Sequence, residues 1–142
     1  MRILGQLTIL TLGLFTVSCD PIYTSEIRNR TNENLTVEIH FDNKKMNEIW
    51  DGRPIIPYLK RHGLKDGVNI IEFDTVDFKT VYRIDPQNSF YLEHGMKRPD
   101  YEIYKSIKII SRADTLNLNG REEIKNALRQ VEKRKWELEV LK

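Results

Sequence analysis

The stretch Leu35–Phe41 limits the fold of this chain more than any other. Leu35, Val37, Ile39 and Phe41 alternate with Thr36, Glu38 and His40. Successive side chains of a strand point to opposite faces, so the segment has one dry face and one wet face. That pattern belongs to an antiparallel sheet with water on one side. A helix would scatter the same four apolar residues around its circumference.

Other segments repeat the theme in shorter form. Ser25–Asn29 reads as a first strand, and 29–34 as a polar turn before Leu35. Val68–Phe73 is a strand whose apolar face switches at Ile70-Ile71, which predicts a bulge or burial on both sides. Thr80–Ile84 and Ser89–Leu92 follow, separated by a turn around Asp85-Pro86-Gln87-Asn88. Glu93–Asp100 is expected as a loop and Tyr101–Ser111 as the longest strand, turning at 111–114 into Thr115–Leu118. Trp136, Leu138 and Val140 alternate again and predict a final strand.

Between Asp42 and Lys65 the pattern breaks. Asn43-Lys44-Lys45 reads as a turn, and Ile49-Trp50 and Ile55-Ile56 as short apolar anchors. Pro54 and Pro57 exclude a long central strand there. Near the C-terminus the period changes. Ile124, Ala127, Leu128 and Val131 recur at helical spacing, with Glu122-Glu123 at the positive end and Arg129, Lys133 and Arg134 towards the other. The spacing predicts one helix over 121–133, capped by Asn119 or Gly120. The expected architecture is mainly β: a small antiparallel sandwich (Ig-like) or a partly open barrel, with one helix near the C-terminus. An α+β sheet with the helix on one face is the alternative.

The first twenty residues follow different rules. Arg2 is followed by an uncharged, mostly apolar run from Ile3 to Val17, then by Ser18 and Cys19, the only cysteine. A run of about 15 residues is too short to span a bilayer, which takes about 20. It fits the apolar core of a secretory signal. A lone cysteine in an exported chain has no partner for an intramolecular disulfide and needs another fate. Thr16-Val17-Ser18-Cys19 resembles the lipobox of bacterial lipoproteins, in the relaxed form common in Bacteroidota, with Thr16 where Leu is preferred. The resemblance covers the targeting segment alone. It implies cleavage between Ser18 and Cys19 and a lipidated Cys19, the acyl chains (palmitate among them) anchoring the protein in a membrane. The expected organisation is then a signal peptide over 1–18, a lipidated tether over 19–24 and one globular β-rich domain over 25–142. The outer membrane is favoured. The inner membrane is the alternative, because Asp20 followed by Pro21 does not choose between them.

Charge narrows the partners. The chain has 142 residues, 23 Lys and Arg and 21 Asp and Glu. Arg2 is the sole charge in 1–18, so the remainder carries 22 against 21. Such a balance lacks the basic excess of a nucleic-acid binder.

No chemical motif stands out. His40, His62 and His94 lie outside metal-ligand spacing of one another, and each is expected to be solvated or locally bonded. Nucleophile-elbow and phosphate-loop motifs are absent from the sequence. Asp74 with Asp77 sits in a turn and Glu122 with Glu123 at a helix start, where structural roles suffice. Tyr58, between Pro57 and Leu59 in an irregular loop, could present its ring to a sugar or peptide; Trp50, Tyr82, Phe90, Tyr91, Tyr101 and Tyr104 are expected mostly in the core. Lys60-Arg61-His62 reads as a solvated basic loop. Asp74-Thr75-Val76 and Asp114-Thr115-Leu116 resemble the Asp-Ser/Thr-apolar acceptor of O-glycosylation in exported Bacteroidota proteins, which implies Thr75 and Thr115 as sites.

The function expected is a non-enzymatic, membrane-anchored cell-envelope protein with no cofactor, binding or supporting an envelope protein or glycan. The alternatives are an inhibitor or immunity-type lipoprotein, and a small envelope hydrolase. A protruding loop at 51–66 or 93–100 would favour the former, a deep polar pocket with converging acids the latter, and a smooth small sandwich without a pocket the non-enzymatic reading.

Overall fold

A computed structural model describes residues 21–141. Nine strands and three short helices follow one another among them: β1 (Tyr23–Asn29), β2 (Leu35–Phe41), α1 (Asn43–Trp50), α2 (Ile56–Leu59), β3 (Val68–Asp74), β4 (Lys79–Ile84), β5 (Ser89–Gly95), β6 (Tyr104–Ile110), β7 (Thr115–Asn119), α3 (Gly120–Ala127), β8 (Arg129–Glu132) and β9 (Lys135–Val140). The strands form two open sheets, not a closed barrel, with orders β5-β1-β9-β8 and β3-β4-β2-β6-β7. Every pairing is antiparallel except β1 with β9, the first strand with the last. The fold is mainly β, with a helix near the C-terminus, as the alternation predicts.

The two sheets share one core. β2 supplies Leu35, Val37, Ile39 and Phe41, every apolar member of its alternation, all buried. The four-stranded sheet faces them with Ile27, Phe90 and Leu92. Tyr82, Ile84, Ile107, Ile109 and Ile124 complete the centre. Each such side chain contributes ~1.5–3 kcal/mol by leaving water. Asn29 ties the layers together. Its buried amide donates to the carbonyls of Glu33, Ile84 and Asp85 (2.8, 3.1 and 3.2 Å), while its Oδ1 accepts from the Thr31 backbone N–H and hydroxyl.

The outer face of the four-stranded sheet is ionic. Glu26 is buried there beneath Arg28, Lys65 and Lys135, with the Lys135 ammonium at 3.2 Å. Burial alone would raise its carboxyl. The bonds from the Ser89 hydroxyl and Lys135 outweigh that, and hold it below its ordinary value.

Several boundaries differ from those read in the sequence. Asn43-Lys44-Lys45 begins a helix rather than a turn, because the Asp42 carboxylate accepts the Lys45 N–H at 3.0 Å and caps α1. β5 continues through Glu93 to Gly95, which the sequence assigns to a loop. β6 starts at Tyr104, not Tyr101, because Tyr101 adopts a left-handed φ of 62° and a turn follows it. A register shift opposite His40 and Phe41 then lets both Tyr104 and Ile107 face the core. The bulge expected in β3 is present between Ile70 and Glu72, with Ile71 left 55% exposed. The helix expected over 121–133 ends at Ala127. Leu128 is extended, and Arg129–Glu132 pairs with β9 instead. Tertiary pairing overrides helical periodicity here, since β9 gains a second neighbour and Arg129 reaches Glu139 at 3.8 Å.

Candidate functional site

A cleft of about 1070 Å³ opens beside β5. One wall is the stretch 49–64, from the end of α1 through α2. The other is the end of β5 with the loop to β6, residues 91–103. The two segments that carried no regular pattern in the sequence, or the wrong one, therefore face each other.

Local chemistry explains the first wall. Asp51 closes α1 in a left-handed conformation, with its N–H on the Asn47 carbonyl, and Gly52 continues the reversal at φ 76°. Pro57 sits in the first turn of α2, where its missing N–H costs nothing. Beyond α2, Gly63 has φ 68°, and a Cβ there would lie 2.0 Å from the Phe90 ring. Only glycine lets this loop lie flat on β5. Trp50 and Tyr58 pack at 4.7 Å between ring centroids and stay half-buried on the wall. The Arg53 and Arg61 side chains donate to the carbonyls of Trp50 and Pro57 and remain exposed.

The second wall is fixed by Glu93. Its carboxylate accepts the N–H groups of Tyr101 (2.9 Å) and Asp100 (3.3 Å), holding the loop closed on itself. Burial raises this carboxyl to about 7, against the pull of those two bonds. Burial, with the nearby Glu93 charge, also raises the Tyr58 hydroxyl well above its ordinary value.

His62 forms the floor and corrects the expectation of a solvated loop histidine. It is 8% exposed and lies among the rings of Phe41, Tyr58, Phe90 and Tyr104, at 5.2–5.9 Å. The Tyr104 hydroxyl donates to the Leu92 carbonyl, so its one proton is committed. His62 Nε2, 3.1 Å away, must then be the donor to the Tyr104 oxygen, which assigns the Nε2–H tautomer. Burial lowers the imidazole to about 3 and keeps it neutral. His62 is thus a structural hydrogen-bonding residue, an apolar-faced plug beneath the cleft.

The mouth is amphipathic. Ile49, Leu64 and Met96 are 44%, 41% and 66% exposed around it. Arg53, Arg61, Lys97 and Arg98 add cations, and Asp100 and Glu102 add acids.

The other residues singled out from the sequence lie elsewhere. Cys19 and Ser18 are outside the described residues. Thr75 is exposed in the β3–β4 turn and Thr115 at the start of β7, both away from the cleft lining. Asp74 caps its own turn by accepting the Val76 and Asp77 N–H groups, which hold its carboxyl below the usual range. Glu123 accepts the Asn119 N–H at 2.6 Å and caps α3, while Glu122 stays exposed in the first turn. His40 bonds Glu38 at 2.9 Å on the wet face of β2. His94 is exposed at the cleft rim, 5.1 Å from the Tyr91 ring. Of the aromatic residues and histidines singled out in the sequence, Trp50, Tyr58, His62, Tyr91 and His94 line the cleft. Glu93 was missed, and its one sequence signal is a carboxylate placed on the parity opposite Leu92. Among the described residues no group of three His, Cys, Asp or Glu could hold a metal, and no helix is long and apolar enough to cross a membrane. Comparison with protein-family models, characterised proteins and solved structures gives no match.

Proposed function

We propose that this chain is a non-enzymatic cell-envelope lipoprotein, anchored through Cys19, that binds a partner in the cleft between 49–64 and 91–103. The cleft is the observation that carries this reading. Its exposed Ile49, Leu64 and Met96 beside Arg53 and Arg61 favour a protein segment bearing apolar and acidic side chains. The two irregular segments face each other across a concavity, which suits receiving a partner more than projecting into one. That geometry supports binding over the inhibitor reading.

A hydrolase is the second reading, and Glu93 favours it, because a carboxyl raised to about 7 suits a general acid. Its carboxylate is already occupied by two loop N–H groups, and the buried His62 imidazole that lines the same cleft is held neutral by its surroundings. Positioning of the loop accounts for Glu93 without chemistry.

Two experiments test the proposal. Labelled fatty acid should enter the wild type in its native host and not Cys19→Ser; equal labelling of both removes the anchor. Affinity capture from the native envelope should recover a partner with the wild type and lose it with Leu64→Glu, Met96→Glu. Identical recovery by both proteins removes the cleft as the binding site. Thr75 and Thr115 belong to the same exported setting. A native mature mass above that of the acylated polypeptide, falling on Thr75→Ala or Thr115→Ala, identifies them as glycan acceptors, and an unmodified mass eliminates them.

A further inference from the structure

One end of the four-stranded sheet gathers aromatic, basic and exposed apolar side chains. It is made by the start of β1, the end of β5 and the turn between β8 and β9. Tyr23 pairs with Gly95, and the Thr24 N–H donates to the Arg134 carbonyl at 2.9 Å. Tyr23 stacks on Trp136 with centroids 6.4 Å apart. The Arg134 guanidinium lies over the Tyr23 ring at 5.9 Å, and that of Arg98 over Trp136 at 5.4 Å. Ile22, 56% exposed, and Met96 flank this cluster.

The charge at this end is positive. Lys97, Arg98, Lys133 and Arg134 are exposed, against Asp100 and Glu132. Lys135 is engaged by Glu26 and Glu137, at 3.2 and 2.6 Å, and adds nothing free. Half-buried Tyr and Trp beside Arg and Lys are the composition of a membrane–water interface. Basic residues near an anionic leaflet are drawn to it, and salt screens the attraction.

The position of the proposed anchor selects the occupant. Cys19 precedes Tyr23 by four residues, and four residues span at most about 14 Å. A domain so tethered has this end beside the bilayer. We infer that the Tyr23–Trp136 end, with Arg98 and Arg134, is a second membrane contact that seats the domain on an anionic lipid surface. The inference rests on the lipoprotein reading for its geometry. The contact adds electrostatic attraction to the acyl anchor and fixes the domain's orientation. It also sets the cleft, whose wall includes Met96, Lys97 and Arg98, next to the lipid headgroups.

The test uses the mature protein purified from native membranes. Trp50→Phe leaves Trp136 as the sole tryptophan. The protein is mixed with phosphatidylcholine vesicles, with and without phosphatidylglycerol, whose acyl chains are brominated or not. Flotation with neutral vesicles reads the anchor. Quenching of Trp136 by brominated chains reads the contact. The expected result is quenching in phosphatidylglycerol vesicles that weakens with salt. Adding Arg98→Glu and Arg134→Glu should reduce it about fivefold or more, with flotation unchanged. Quenching that is absent, or equal with and without phosphatidylglycerol, or indifferent to the two reversals, overturns the contact. Loss of flotation alone overturns the anchor, and Trp136 quenching at high lipid still decides the contact.

Discussion

Glu93 and His62 lie on opposite sides of a balance. The His62 imidazole titrates near 3 in the folded chain against 6.5 ordinarily, so the unfolded chain takes up the proton first as pH falls. Its contribution is full above 6.5 and is lost progressively towards 3. Glu93 titrates near 7 against 4.5, so the unfolded chain releases the proton first as pH rises, and stability is lost from 4.5 up to 7. Between 4.5 and 6.5 the two slopes oppose. Glu93→Gln keeps an oxygen acceptor for the Tyr101 N–H and removes one slope. The variant should match the wild type near pH 4 and exceed it by about 1–3 kcal/mol at pH 8. Denaturant unfolding across that range checks this, and superimposable profiles for the two proteins defeat it. Neither residue's role was readable from sequence. Burial of His62 depends on four rings drawn from β2, α2, β5 and β6, and the raised Glu93 on a loop that folds back eight residues later.

Elements were legible where neighbours along the chain decide them. β2 shows its full alternation because one of its faces is buried along its whole length. The β3 bulge could be read because the apolar face visibly switches. α1 was hidden because Asn43-Lys44-Lys45 looks like a turn. The informative residue was Asp42, whose cap precedes a segment with Met46 on its buried side. Asp42→Ala should cost ~1 kcal/mol and loosen Ile49 and Trp50, so partner binding should weaken with it. Urea unfolding and capture efficiency read the two effects; a change below a few tenths of a kcal/mol would show that packing of Met46 alone holds α1. The helix expected over 121–133 failed at Arg129 for the opposite reason. Its charges suit a helix end and a sheet edge equally well, and pairing with β9, remote from local preference, chose the edge.

At the scale of the whole molecule, the cleft, the ionic face and the basic end all belong to the four-stranded sheet or its margins, while the five-stranded sheet supplies most of the core. The alternating strands announced that core. The site-bearing sheet was harder to foresee, because β1 joins β9 across the entire chain and no local pattern encodes that pairing. β1 has β5 on one side and β9 on the other, so it holds a central place that only the C-terminal segment can complete. Shortening the chain to residue 134 should abolish cooperative unfolding, whereas trimming residues 141–142 should leave it; a truncated chain that still unfolds in one sharp transition would refute this. The parallel pair also orders events in time. On the lipoprotein reading, β1 is the first part of the domain to emerge on the far side of the membrane and the part held nearest to it. It stays half-paired until Val140 has followed. On that reading the domain is held at the membrane before it can fold, and its folding waits for β9 to reach β1.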